Sequence, residues 1–85
     1  MYWVYVIKSR KDEKLYTGCT SDIEKRLEYH NKGKVRSTRS RRPFELIYKE
    51  EFDTLALARK RENYLKTGNG RSWLKDKLSL LLNSK

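Results

Sequence analysis

Two phenols stand in short apolar runs close to the start of the chain. Tyr5 sits in Val4-Tyr5-Val6 and Tyr16 in Tyr16-Thr17-Gly18, with the polar stretch Lys8 to Lys14 between them. That stretch reads as a hairpin loop. Two strands joined by it lie side by side, so both hydroxyls can be held close together on one sheet. Downstream, Arg26, His30 and Glu62 each occupy a position where a helix is expected to show something apolar. A phenol pair, a guanidinium, an imidazole and a carboxylate are the parts of a metal-assisted phosphodiesterase. A net charge of +10, from 21 Lys and Arg against 11 acids, indicates where the phosphate comes from. Its natural partner is a polyanion.

The elements that must position these groups follow from the pattern of apolar residues. Met1 to Lys8 is apolar on both faces, with Tyr2, Val4 and Val6 on one and Trp3, Tyr5 and Ile7 on the other. Such a strand is expected at the centre of a sheet covered on two sides. Leu15 to Gly18 pairs back on it. Ser21-Asp22-Ile23-Glu24 reads as a capping box with Ser21 at the N-cap, opening a helix from Asp22 to about Asn31 that stops at Gly33. Phe44 to Phe52 alternates as a third strand, with Phe44, Leu46 and Tyr48 on one face. Asp53 or Thr54 caps a second helix running to Lys66, and Thr67-Gly68-Asn69-Gly70 breaks it. A third helix fits Arg71 to about Leu82, with Leu74, Leu78, Leu81 and Leu82 as its inward stripe. The expected fold is α/β (α+β): a three-stranded antiparallel sheet flanked by helices, order β-β-α-β-α-α, in a single domain spanning 1–85.

On the first helix Ile23 and Leu27 mark the inward stripe. Arg26 is i+3 from Ile23, and His30 is i+4 from Arg26, so the two share one side of that helix. On the second helix Leu55, Ala58, Glu62 and Leu65 follow one face, which puts Glu62 in mid-stripe. A carboxylate there is either paired with a cation such as Arg26 or bound to a divalent ion, because an unpaired buried charge is costly. The tyrosines also have a plainer role as strand aromatics, and Tyr2, Tyr29, Tyr48 and Tyr64 are assigned to it.

The segment Lys32 to Arg42 carries Lys32, Lys34, Arg36, Arg39, Arg41 and Arg42 and no acid. With Thr38 among its hydroxyl donors, it is the expected contact to a nucleic-acid backbone. Nothing in the chain reads base sequence. The longest apolar run, Leu80 to Leu82, is far short of the roughly 20 residues that span a membrane. No signal-peptide pattern opens the chain, and one lone cysteine, Cys19, forms no internal disulfide. A cytoplasmic setting is expected.

Taken in order, these residues resemble the GIY-YIG nuclease superfamily. The first motif stands here as Trp3-Val4-Tyr5, without its Gly and Ile, and the second as Tyr16-Thr17-Gly18. The resemblance runs over nearly the whole chain. It is strongest to small stand-alone members related to the nuclease domain of the bacterial excision-repair protein UvrC, including the run Ser37 to Pro43. It implies a metal-dependent DNA endonuclease that hydrolyses phosphodiester bonds, with a role in repair or recombination. One Mg²⁺ or Mn²⁺ would be held by Glu62, and Arg26 would stabilise phosphoryl charge. His30 would relay a proton, and either Tyr5 or Tyr16 would be the base, favoured as phenolate by Arg26. Selectivity would come from DNA shape, a protein partner or a dimer. The alternative is a non-catalytic DNA- or RNA-binding module on the same scaffold, which metal-dependent strand scission would separate from the nuclease.

Overall fold

A computed structural model describes residues 1–83, with side chains to residue 80. The elements are β1 (Tyr2–Ser9), β2 (Leu15–Thr20), α1 (Ile23–Asn31), a 3-10 turn (Arg39–Arg41), β3 (Phe44–Phe52), α2 (Leu55–Leu65) and α3 (Gly68–Asn83). The order is β-β-α-β-α-α, as the apolar pattern predicts. The sheet runs β2-β1-β3, all antiparallel, with β1 in the middle.

Both faces of β1 are covered, each by a different cluster. Tyr5, Ile7 and Phe44 form one with Tyr16, Ile23, Leu27 and Leu46, under α1. Val4 and Val6 form the other with Ala58 and Leu65 of α2 and Leu74 of α3. Each Val, Ile, Leu or Phe among them contributes roughly 1.5–3 kcal/mol when fully buried. The hairpin turn is organised by Ser9, whose hydroxyl accepts from the amides of Lys11 and Asp12 at 3.1 and 3.2 Å. The same hydroxyl donates to the Arg41 carbonyl at 2.5 Å and so ties the turn to the arginine-rich segment.

Four local expectations are corrected. The N-cap of α1 is Asp22, not Ser21: its carboxylate accepts from the Lys25 amide at 3.1 Å. Tyr48 does not share a face with Phe44 and Leu46. Val6 pairs with Tyr48 while Ile7 pairs with Leu46, so a bulge at Ile47 turns the rest of β3 over. Tyr48 therefore packs edge-on to Trp73 on the α3 side. Leu55 is exposed at the first position of α2 instead of joining the stripe. Finally, α3 starts at Gly68, not Arg71. Thr67 Oγ1 accepts from the Gly70 amide at 3.1 Å, and a Cβ at Gly70 would lie 2.6 Å from the Tyr64 carbonyl carbon. The glycine that reads as a helix breaker is what lets the first turn of α3 close onto the end of α2. The expected positions Leu81 and Leu82 fall outside the described side chains.

Candidate active site

The register of the hairpin places Tyr5 opposite Gly18 and Ile7 opposite Tyr16. Tyr5, Gly18 and Tyr16 therefore face α1. A Cβ at Gly18 would lie 2.6 Å from Tyr5 Cζ and 2.9 Å from Cε1. The phenol of Tyr5 thus fills the space a side chain at 18 would need, and its hydroxyl lies over Gly18. Tyr5 is buried, and Tyr16 is half-buried with its ring centroid 6.5 Å away.

Helix α1 delivers Arg26 and His30 to that hydroxyl, as their i, i+4 spacing predicts. Arg26 Nε donates to Tyr5 Oη at 3.4 Å. Tyr5 Oη and His30 Nε2 are 3.0 Å apart, and His30 Nδ1 is 2.8 Å from Thr38 Oγ1. The Thr38 hydroxyl donates to the Val35 carbonyl at 3.4 Å, so toward His30 it acts as acceptor. This assigns the tautomer from the network: Nδ1 carries the proton, and Nε2 accepts from the phenol. The resulting chain runs Arg26 to Tyr5 to His30 to Thr38 to Val35. His30 and Thr38 are both fully buried.

Burial raises the Tyr5 phenol above its ordinary range. The hydrogen bond and charge of Arg26 pull it down, while Tyr16 and Glu62 push it further up. Arg26 does favour phenolate, as expected, but burial outweighs the guanidinium in the resting protein. His30 is pushed down to about 4, by burial first and Arg26 second. Its imidazole is neutral at neutral pH and free to take the phenol proton.

That shift carries a stability consequence. The unfolded imidazole binds a proton below its ordinary 6.5, which the folded one refuses until about 4. Stability from this group is complete above pH 6.5 and falls as pH drops toward 4, by at most about 3 kcal/mol. Because His30 is the chain's only histidine, ¹⁵N NMR reads it without ambiguity. The expected result is an Nδ1–H tautomer titrating near 4, with the tautomer mixed in Thr38→Val and restored in Thr38→Ser. Titration near 6.5 would overturn the arrangement.

Glu62 is on the other face of the sheet, with α2. Its partner is not Arg26 but Lys66, at 2.7 Å one turn on. The side chain keeps 17% exposure, so it is not sealed by aliphatics. Its charge is felt at both Tyr5 and Cys19. No group of three or more His, Cys, Asp and Glu converges among the described residues. A lone, accessible carboxylate matches the way Mg²⁺ is commonly held, by one or two carboxylates with waters and substrate phosphate. The donor set fits such an ion if Lys66 releases Glu62.

The arginine-rich segment is more structured than a solvated loop. Lys32 pairs with Glu28 at 2.5 Å and Arg41 with Asp12 at 3.0 Å. Arg39 Nε donates to the Gly33 carbonyl and Arg42 Nε to the Arg39 carbonyl. Lys34 and Arg36 are exposed and make no ion pair among the described residues. Thr38, expected to face phosphate, is instead buried and turned inward onto His30. Sequence reasoning missed this contact, the seating of the Tyr5 phenol over Gly18 and the Lys66 partner. Only the last had a local signal, the i, i+4 spacing of opposite charges.

Residues 1–76 match the family described as the GIY-YIG catalytic domain. A UPF0213 protein of Staphylococcus saprophyticus is 45% identical over 75 residues, covering 87% of this chain and 90% of that protein. A UPF0213 protein of Clostridium perfringens is 46% identical over 67 residues, covering 78% and 71%. The solution NMR structure of a UPF0213 protein from Bacillus halodurans is similar with a TM-score of 0.54 at 30% identity, covering 89% of this chain and 84% of that one.

Proposed function

Since this chain belongs to the GIY-YIG catalytic domain family, we propose that it is a metal-dependent DNA endonuclease hydrolysing phosphodiester bonds. The observation that carries this reading is the Tyr5 hydroxyl held between Arg26 Nε and His30 Nε2. A phenol there has a base to receive its proton and a cation beside the oxygen that is left.

Tyr5 is then the general base, and Tyr16 orients the water or the phosphate. As a water oxygen attacks phosphorus, Tyr5 Oη takes the water's proton and passes its own to His30 Nε2. His30 keeps its Nδ1 proton on Thr38, which holds the ring in the accepting tautomer. The imidazolium formed is disfavoured in the resting site by burial and by the charge of Arg26. The negative charge of the incoming phosphate offsets that repulsion. The guanidinium of Arg26 also stabilises charge growing on the phosphoryl oxygens. The bond from phosphorus to the leaving sugar oxygen breaks. A divalent ion held by Glu62 supplies Lewis-acid polarisation of the phosphate and leaving oxygen when bound.

The substrate is DNA, met through its backbone and without base readout. No helix among the described residues is long and apolar enough to cross a membrane. A cytoplasmic role in repair or recombination is consistent with this chemistry. The test is a cleavage assay on plasmid, branched and single-stranded DNA. Scission is expected with Mg²⁺ or Mn²⁺ and is lost in EDTA. Binding without scission of any of them with either metal would overturn the nuclease and leave a binding module.

A further inference from the structure

The site is divided by the sheet. Tyr5, Tyr16, Arg26 and His30 gather on the α1 face, while Glu62 and Lys66 lie on the α2 face. Only at an edge of the sheet can one phosphate meet both sets. The Tyr5 hydroxyl reaches over Gly18 in β2, and β2 is an edge strand. A groove of about 720 Å³ runs along that same edge, between β2 and helices α2 and α3. Tyr16 of the phenol pair and Lys66, the partner of Glu62, both line it, so it adjoins both sets.

We propose that this groove holds a single strand of DNA flanking the scissile phosphate, so that the strand passes around the outer edge of β2. The inference rests on the nuclease reading for what is cut, but on the groove alone for what is bound. The floor includes Leu65 and Leu74, and the rim carries Lys14, Lys66, Arg71 and Lys75 against one acid, Glu13. An apolar floor, with Tyr16 among the lining residues, suits base faces, and a cationic rim suits phosphates, which is how single strands are commonly held. Lys14, Arg71 and Lys75 make no ion pair among the described residues, unlike Lys32 and Arg41 of the arginine-rich segment. The volume is that of a cleft for a small ligand, roughly 300–1,000 Å³, and so takes a strand of a few nucleotides rather than a duplex.

The experiment is fluorescence anisotropy with a short labelled single-stranded oligonucleotide and a hairpin duplex of the same length, in EDTA, at several salt concentrations. Arg71→Glu/Lys75→Glu is expected to weaken single-strand binding at least tenfold. Losing two phosphate contacts lowers the salt slope by about 1.4. Lys34→Glu/Arg36→Glu, in the arginine-rich segment, is expected to weaken single-strand binding less. Arg71→Gln/Lys75→Gln gives the same ranking in a smaller degree and stands in if charge reversal unfolds the protein. Unchanged single-strand affinity and slope in the groove variants overturns the proposal. So does an equal loss for strand and duplex, which marks general attraction. Wild-type protein that binds this way yet cuts nothing keeps the groove and removes the nuclease. Cleaving protein whose groove variants bind normally removes the groove alone.

Discussion

Tyr5→Phe is expected to lower the rate of strand scission by roughly 10²–10⁴, the range general-base catalysis contributes. The ring stays, so the space over Gly18 remains filled and the cluster with Ile7 and Phe44 is kept. Only the oxygen between Arg26 and His30 is lost. Leaving those two groups without their partner costs about 1–3 kcal/mol of stability. Single-turnover cleavage, with DNA affinity measured beside it, separates the effects: the rate should fall while binding holds. Tyr16→Phe is the control. Among the described residues Tyr16 has no acceptor for its proton comparable to His30, so its loss should be milder. If Tyr16→Phe is the more damaging of the two, the base has been assigned to the wrong ring.

Glu62→Gln should be as damaging to turnover, by roughly 10²–10³ or more, since removing one preorganised electrostatic group commonly costs that much. Its effect on folding should be small. The lost interaction is an i, i+4 pair whose lysine end is exposed, and helix-surface pairs of that spacing contribute about 0.3–0.5 kcal/mol. Turnover against Mn²⁺ concentration, with urea unfolding in parallel, makes the distinction. A group that merely packs would give the opposite outcome, a change in unfolding midpoint with cleavage untouched. That outcome would remove Glu62 from the site.

Much of the arrangement was readable because it depends on short-range periodicity. The two-faced apolar run around Tyr5 predicts a central strand, and β1 is central. The spacing of Arg26 and His30 predicts a shared helix face, and both reach the same hydroxyl. What was not readable depends on the third dimension. The bulge at Ile47 is a mismatch between strands, invisible in β3 alone, and it moves Tyr48 to the other side. Thr38 looks like one more surface hydroxyl among arginines until the fold brings it against His30. The close approach of the phenol to Gly18 belongs to the register with Tyr5. Glu62 in mid-stripe is correctly marked as unusual, but periodicity does not say on which face of the sheet α2 will lie. Its placement on the α2 face is therefore a property of the topology.

The ring of Tyr5 lying in the place of a side chain at position 18 ties two short words of the sequence, 13 residues apart, into one spelling. Drift at 18 to even the smallest methyl would evict the aromatic group from its slot and take the proton acceptor's alignment with it. A descendant of this chain that loses that glycine has, by steric necessity, given up or rebuilt its hydroxyl network, whatever its remaining letters suggest.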